Sequence, residues 1–258
     1  MLWMLVRKEM QQLRWVLIIG VILGLGLVGV IVGSFHYLGQ LVNEIPSEVL
    51  ELLARYEFTR ELMFIFDDYS LYVWSQWNAK NLYQFATVIA LIMAAIQFAG
   101  EINNQTMSFY LTRPISRKQG YIAKIAAGLL VMLVIFGGGT LIFWAVSSVM
   151  GYVADWGRLL GALLISLAWA WAFYCLASII SLWAREPIKA GVAGGAIALL
   201  LSVPGLFPAA RPFSIFYQMR AVDYFLHGDP LLWSLISGLA IGGLLLGLGG
   251  YLFSKADF

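Results

Sequence analysis

The sequence predicts an all-α membrane protein, six transmembrane helices preceded by a short helix lying in the membrane interface. Three observations predict it. Of 258 residues, 61% are hydrophobic and 12% charged, with a mean hydropathy of +0.84, whereas soluble domains run near half apolar and a quarter charged. Six apolar stretches are long enough, at about 1.5 Å per helical residue, to cross a hydrocarbon layer of roughly 30 Å. Finally, Lys and Arg gather in the segments that a cytoplasmic N-terminus would leave inside.

The elements follow in order. In residues 1–14, Trp3, Val6, Met10 and Leu13 recur at helical spacing while Arg7, Lys8, Gln11, Gln12 and Arg14 take the other side. That predicts an interfacial helix with its basic face toward anionic headgroups, or simply a basic flank that fixes orientation. A cleaved signal peptide is not expected, because the apolar run that follows is too long for a signal core. The first span is expected at about 15–36. Within it Gly24, Gly26 and Gly29 spell G-x-G-x-x-G, but a dinucleotide fingerprint needs a strand before it and a helix after it. Close helix packing explains Gly20, Gly24, Gly29 and Gly33 better.

Residues 37–81 read as an external loop whose acids, Glu44, Glu48, Glu51, Glu57, Glu61, Asp67 and Asp68, outnumber Arg55, Arg60 and Lys80. An amphipathic helix after Pro46 and an aromatic belt of Tyr69, Tyr72, Trp74 and Trp77 are expected there. The second span is expected at about 82–99, a basic cytoplasmic loop at 100–120, and further spans at about 121–146, 159–184, 188–207 and 231–253. Arg185 to Lys189 forms a tight basic turn. Before the last span, Pro204, Pro208 and Pro212 break any regular helix, and Phe207, Phe213, Phe216, Tyr217, Tyr224 and Phe225 keep that segment in the membrane. The whole chain, 1–258, is read as one transmembrane domain.

Charge supports this topology. With both termini cytoplasmic, the inside holds Arg7, Lys8, Arg14, Arg113, Arg117, Lys118, Lys124, Arg185, Lys189 and Lys255, ten of the sixteen basic residues. The net charge of +2 is too small to suggest nucleic acid, and a single cysteine, Cys175, gives neither a disulfide framework nor a thiol metal site.

Site chemistry is sparse. The centre of every span lacks Asp, Glu, Lys, Arg and His, which a membrane enzyme, proton pump or ion-coupled carrier would keep there. Thr87, Gln97, Thr140, Ser166, Ser178 and Ser202 suit hydrogen bonds between helices. His36 and His227, the only histidines, are far apart, and no phosphate-binding or nucleophile motif occurs. No metal site and no catalytic residue is expected in this chain. Glycines at four-residue spacing, Gly191 with Gly195, Gly238 with Gly242 and Gly243 with Gly247, together with Gly137 to Gly139, point to tight bundling instead.

The basic loop is the most specific stretch. Glu101, Thr106, Leu111, Pro114, Ser116, Arg117 and Lys124 stand in an order that resembles the first cytoplasmic loop of ABC-2 type transporter permeases. The family usually has Gly-Thr where this chain has Gln105 and Thr106. The resemblance implies a type V exporter-like architecture and a coupling helix that docks on a separate ATP-binding subunit. Met107, Phe109, Tyr110 and Leu111 would then supply an apolar anchor next to Pro114; Arg113, Arg117 and Lys118 would pair with acids or lipid headgroups, and Arg185, Glu186 and Lys189 would make a second, smaller contact. It further implies two copies of that subunit, which bind ATP and Mg, and a second permease half, identical or homologous. No cofactor is implied in this chain. The cargo would be a hydrophobic or amphipathic compound such as an antibiotic, antimicrobial peptide or lipid, exported across a bacterial cell membrane. A rival reading from the residues alone is a non-transporting immunity or sensor protein that binds a peptide or toxin through its external loop.

Overall fold

The computed structural model describes residues 2–44, 65–66, 68–107 and 116–256. The described chain is helical, with no strand. A short helix, α1 (Leu2–Gln12), is followed by six helices long and apolar enough to cross a membrane. These are α2 (Arg14–Glu44), α3 (Tyr69–Asn103), α4 (Arg117–Val149), α5 (Trp156–Ala184), α6 (Pro187–Ser202, continuing as a tight turn to Leu206) and, last, α8 (Leu231–Lys255). Between α6 and α8 lies the short helix α7 (Ile215–Met219). Successive spans alternate in direction, so α1, both flanks of loop 104–116, the α5–α6 turn and the end of α8 lie at one end of the bundle.

Helix α5 is the axis. It is the most buried span, and it packs against α3, α4, α6, α7 and α8. The sequence allows this because α5 has apolar residues on every side, so no face prefers water, as a helix surrounded by others requires. Asp155 starts it, its carboxylate accepting from Arg158 N at 3.0 Å. Arg185 ends it in the left-handed region at φ 59, and Pro187 opens α6 one residue after Glu186. Lys189 therefore belongs to the first turn of α6 and not to a loop.

Helix α3 starts far earlier than hydropathy suggests, at Tyr69 instead of near Leu82. Asp68 is the reason: its carboxylate accepts from Ser70 N at 2.7 Å and Leu71 N at 3.4 Å, satisfying the free donors of a first turn. The aromatic belt expected here is instead interior. Tyr69, Tyr72, Trp74 and Trp77 are all buried; Trp77 donates to Thr140 Oγ1 of α4 at 2.9 Å and Tyr72 to Ile31 O of α2 at 3.0 Å. Wide π-helical turns at Trp74–Leu82 and Ala95–Gly100 of α3, and at Leu133–Gly137 of α4, shift the facing side chains of these helices. Helix α2 likewise runs on to Glu44, into what reads in sequence as loop.

The expected glycine packing divides in two. A Cβ on Gly20 would strike Ile135, on Gly139 Trp77, on Gly238 Trp169, and on Gly242 Trp171. Gly24, Gly29, Gly33, Gly137, Gly138, Gly191, Gly195, Gly243 and Gly247 meet nothing within 4 Å among the described residues, so packing between the described helices does not account for them. Close approaches occur elsewhere too: the Tyr121 hydroxyl lies on Gly249, the Tyr224 hydroxyl on Gly161 and the Tyr174 ring on Gly128, so a side chain at any of them must displace its neighbour.

The proline-broken segment forms two 3₁₀ turns, Val203–Leu206 and Pro208–Phe213, before α7. Its aromatic residues split: Phe207 and Phe213 are exposed, whereas Phe225 is buried and stacks on Trp74 with ring centroids 4.8 Å apart.

Candidate functional site

Lys124 is fully buried, although it lies in the third turn of α4 and carries a charge that is costly to remove from water. Ser116 and Gln119 fix the start of α4 through a reciprocal capping box, with bonds of 3.2 Å in each direction, and this sets the face on which Lys124 emerges. Its Nζ lies 2.9 Å from Glu9 Oε2 of α1 and 2.9 Å from Glu101 Oε2 of α3. Lys8 closes the figure, 3.0 Å from Glu9 Oε1 and 3.2 Å from Glu101 Oε1. Two cations and two carboxylates thus alternate around a square that joins three helices. Gln12, with its amide nitrogen turned inward, adds donors to Glu101 Oε1 at 3.0 Å and Glu9 Oε2 at 3.3 Å.

Burial disfavours charge on Lys8, but Glu9 and Glu101 outweigh it and raise its pKa above the ordinary lysine value. A raised lysine pKa stabilises the fold fully below pH 10.5 and loses that contribution as pH rises through the folded value. Lys8 therefore stays charged across the physiological range.

A neutral layer carries the square into the bundle. Gln97 of α3 donates to Lys124 O at 3.3 Å, and Tyr174 of α5 donates to Gln97 Oε1 and to Lys124 O. Tyr121 and Ser178 pair at 2.8 Å, tying α4 to α5 one turn away. Arg117, in the first turn of α4, donates to Ala256 O at 2.5 Å and Ser254 O at 3.4 Å, and so places a cation at the C-terminus of α8. Helices α1, α3, α4, α5 and α8 are thereby joined at this end by directed bonds.

Among the residues singled out from sequence, Glu101 and Lys124 are brought together. Arg117 is engaged with the end of α8, and Met107 is buried in the core. Thr106 Oγ1 donates to Glu101 O at 3.2 Å and closes the end of α3. Gln105 just before it sits at φ 57, the left-handed region that favours glycine, which accounts for the glycine the family usually has there. Arg185 and the exposed Glu186–Lys189 pair, 2.8 Å apart, form the adjacent turn. Phe109, Tyr110, Leu111, Arg113 and Pro114 lie outside the described residues.

Helix α1 turns its expected stripe inward in all but one residue: Val6 and Leu13 are buried and Met10 packs half-buried against the core, while Trp3 is 67% exposed. Leu5 and Glu9 share the buried face, Glu9 because a buried Lys124 needs a carboxylate. Sequence reasoning passed over Glu9 and Tyr174, whereas Gln97 makes the bonds between helices expected of it. One signal was available: Glu9 is the only acid before Glu44, in an otherwise basic and apolar stretch.

The family model described as ABC-2 family transporter protein matches residues 3–216, most of the chain and all of this charged end apart from the close of α8. The chain belongs to the ABC-2 transporter family. No curated protein matches it significantly. It is thus a multi-pass membrane permease subunit of an ABC transporter, a kind of subunit that associates with an ABC ATP-binding subunit. In this permease the square of charges lies directly between the interfacial helix and both flanks of the loop whose residues resemble a coupling helix.

Proposed function

We propose that this permease is the membrane half of an ATP-driven exporter, and that loop 104–116 docks on the ATP-binding subunit from the cytoplasmic side. The observation that carries the reading is the buried square of Lys8, Glu9, Glu101 and Lys124. A loop that only joined two spans would gain nothing from charges so costly to bury, whereas a loop that is pushed must pass the displacement on. Glu101 and Lys124 stand on its two flanks, so a shift of the loop moves α3, α4 and α1 together. Tyr174 and Gln97 extend that connection to the central helix. Phe109, Tyr110, Leu111, Arg113 and Pro114 fit an apolar and basic docking segment, with Arg185, Glu186 and Lys189 beside it.

Two copies of the ATP-binding subunit, holding ATP and Mg, would work two permease halves, since a symmetric ATPase pair presents two docking grooves. The open glycine faces of α2, α6 and α8 support a second half packed against this one, because small residues let helices approach closely in lipid. The absence of charge at the span centres suits a hydrophobic or amphipathic cargo and a bacterial cell membrane location with both termini inside.

The test is co-purification of the full chain with the ATP-binding subunit encoded beside it. Stable co-elution and ATPase activity are expected, and Arg113→Glu with Pro114→Ala should abolish co-elution while the permease remains monodisperse. A permease that binds no ATPase, and instead binds a peptide through residues 44–68, would establish the non-transporting immunity or sensor reading.

A further inference from the structure

At the end of the bundle opposite the square lies a cavity of about 430 Å³ between α3, α6 and the segment around α7. Tyr83, Gln84 and Thr87 line it from α3, Ser202 from α6, and Tyr217 and Arg220 from the broken segment. Its remaining lining, mostly from α6 and the turn after it, is largely apolar, and Arg220 is the one charged residue on its wall. The volume is in the range of small-molecule sites, which combine apolar walls with a few placed polar groups.

Arg220 is held by its backbone, not by an acid. Its carbonyl accepts from Trp74 Nε1 at 3.0 Å, and its guanidinium lies 5.7 Å from the Tyr83 ring centroid. Its Nε is buried with no hydrogen-bond partner, and among the described residues no carboxylate lies within ion-pair distance. The nearby Asp223 is already taken, accepting from Tyr217 at 2.6 Å and bonded to His227 at 3.3 Å. Burial and the Asp223 carboxylate push the Tyr217 phenol up to about 12, so it stays protonated and neutral. A part-buried guanidinium without an anion is a costly arrangement unless a ligand supplies one.

We propose that this cavity binds an anionic amphiphile, its carboxylate or phosphate on Arg220 and its apolar body along α6 beside Ala198 and Leu199. This deepens the exporter reading by naming a substrate class and rests on it for transport only. Binding is measured on the permease alone, so loss of ATPase coupling and loss of this site are separate results.

The experiment uses the full chain in phosphatidylcholine nanodiscs, titrated with lysophosphatidic acid, lysophosphatidylcholine and inorganic phosphate. Lysophosphatidic acid should bind at least tenfold more tightly than lysophosphatidylcholine, and Arg220→Gln should remove that preference while Arg220→Lys keeps part of it. Gly195→Leu, which adds a side chain at an open position of the wall, should weaken both lipids about tenfold without touching Arg220. That variant decides the matter if Arg220→Gln fails to fold. Displacement of lysophosphatidic acid by phosphatidylglycerol added to the disc would identify the occupant as a bilayer lipid, and its absence would identify a soluble cargo; both support the site. Equal affinity for the two lysolipids, a preference that survives Arg220→Gln, unchanged binding in Gly195→Leu, or inorganic phosphate competing as well as the lipid would each overturn it.

Discussion

The two ends of this permease solve opposite problems. At the end carrying the termini, buried Glu9, Glu101 and Lys124 and half-exposed Lys8, from three helices, are mutually paired. At the other end the joints are aromatic and neutral, such as Trp77 with Thr140, Tyr69 with Ser147 at 2.6 Å and Trp74 on Phe225, and a cavity stands open with one unpaired guanidinium. Buried ion pairs have strict geometry and tolerate little slippage, so they suit a joint that must move as a body. Aromatic contacts slide with smaller penalties, so they suit walls that must adapt to a ligand.

The sharpest way to break the contrast is Lys124→Met. It leaves Glu9 and Glu101 facing each other in a buried site with only Lys8 to balance them, and a cost of about 3–5 kcal/mol is expected, seen as a large drop in thermal unfolding temperature or loss of folded protein in detergent. Adding Glu9→Gln and Glu101→Gln to that variant should recover much of the loss; an unchanged deficit would mean that the charges are not what holds this end. Next is Gly128→Val, where the new side chain meets the Tyr174 ring and must displace it from Gln97. An overpacking cost of about 1–3 kcal/mol is expected, and Tyr174→Ala in the same chain should relieve the clash in a double-mutant comparison.

The opposite end should respond less. Trp77→Phe keeps an aromatic ring but loses the bond to Thr140, whose hydroxyl still donates to Phe136 O at 2.9 Å, and leaves the space of the second indole ring unfilled, so about 1–3 kcal/mol is expected. An effect as large as that of Lys124→Met would erase the distinction between the ends. Smallest is Lys189→Gln, which removes only an exposed pair with Glu186; a stability change below about 0.5 kcal/mol is expected, even if docking of a partner weakens.

The elements differed in how plainly the sequence announced them. Helix α5, apolar on all sides and flanked by Asp155 and Arg185, could be placed almost to the residue. The start of α3 could not, because Ser75, Gln76, Asn78, Lys80 and Asn81 lower its hydropathy, and only a capped first turn and the burial of Trp74 and Trp77 make it helix. Half of the charged site was legible: Glu101 and Lys124 were noticed as flanks of a family-like loop. Their partner Glu9 was hidden because it lies more than a hundred residues from Lys124, and no local pattern shows which buried charge it meets.

By itself the sequence determined that the chain must live in a membrane and cross it six times. Hydrophobic length and the cost of exposed backbone in lipid leave few alternatives, and both are local properties of the chain. Only the tertiary structure decided that Glu9 meets Lys124, which glycines are filled and which lie open, and that Arg220 stands in a cavity without an acid. Those depend on contacts between residues distant in sequence, where the pairing of buried charges is settled by packing and not by the local pattern of any one helix.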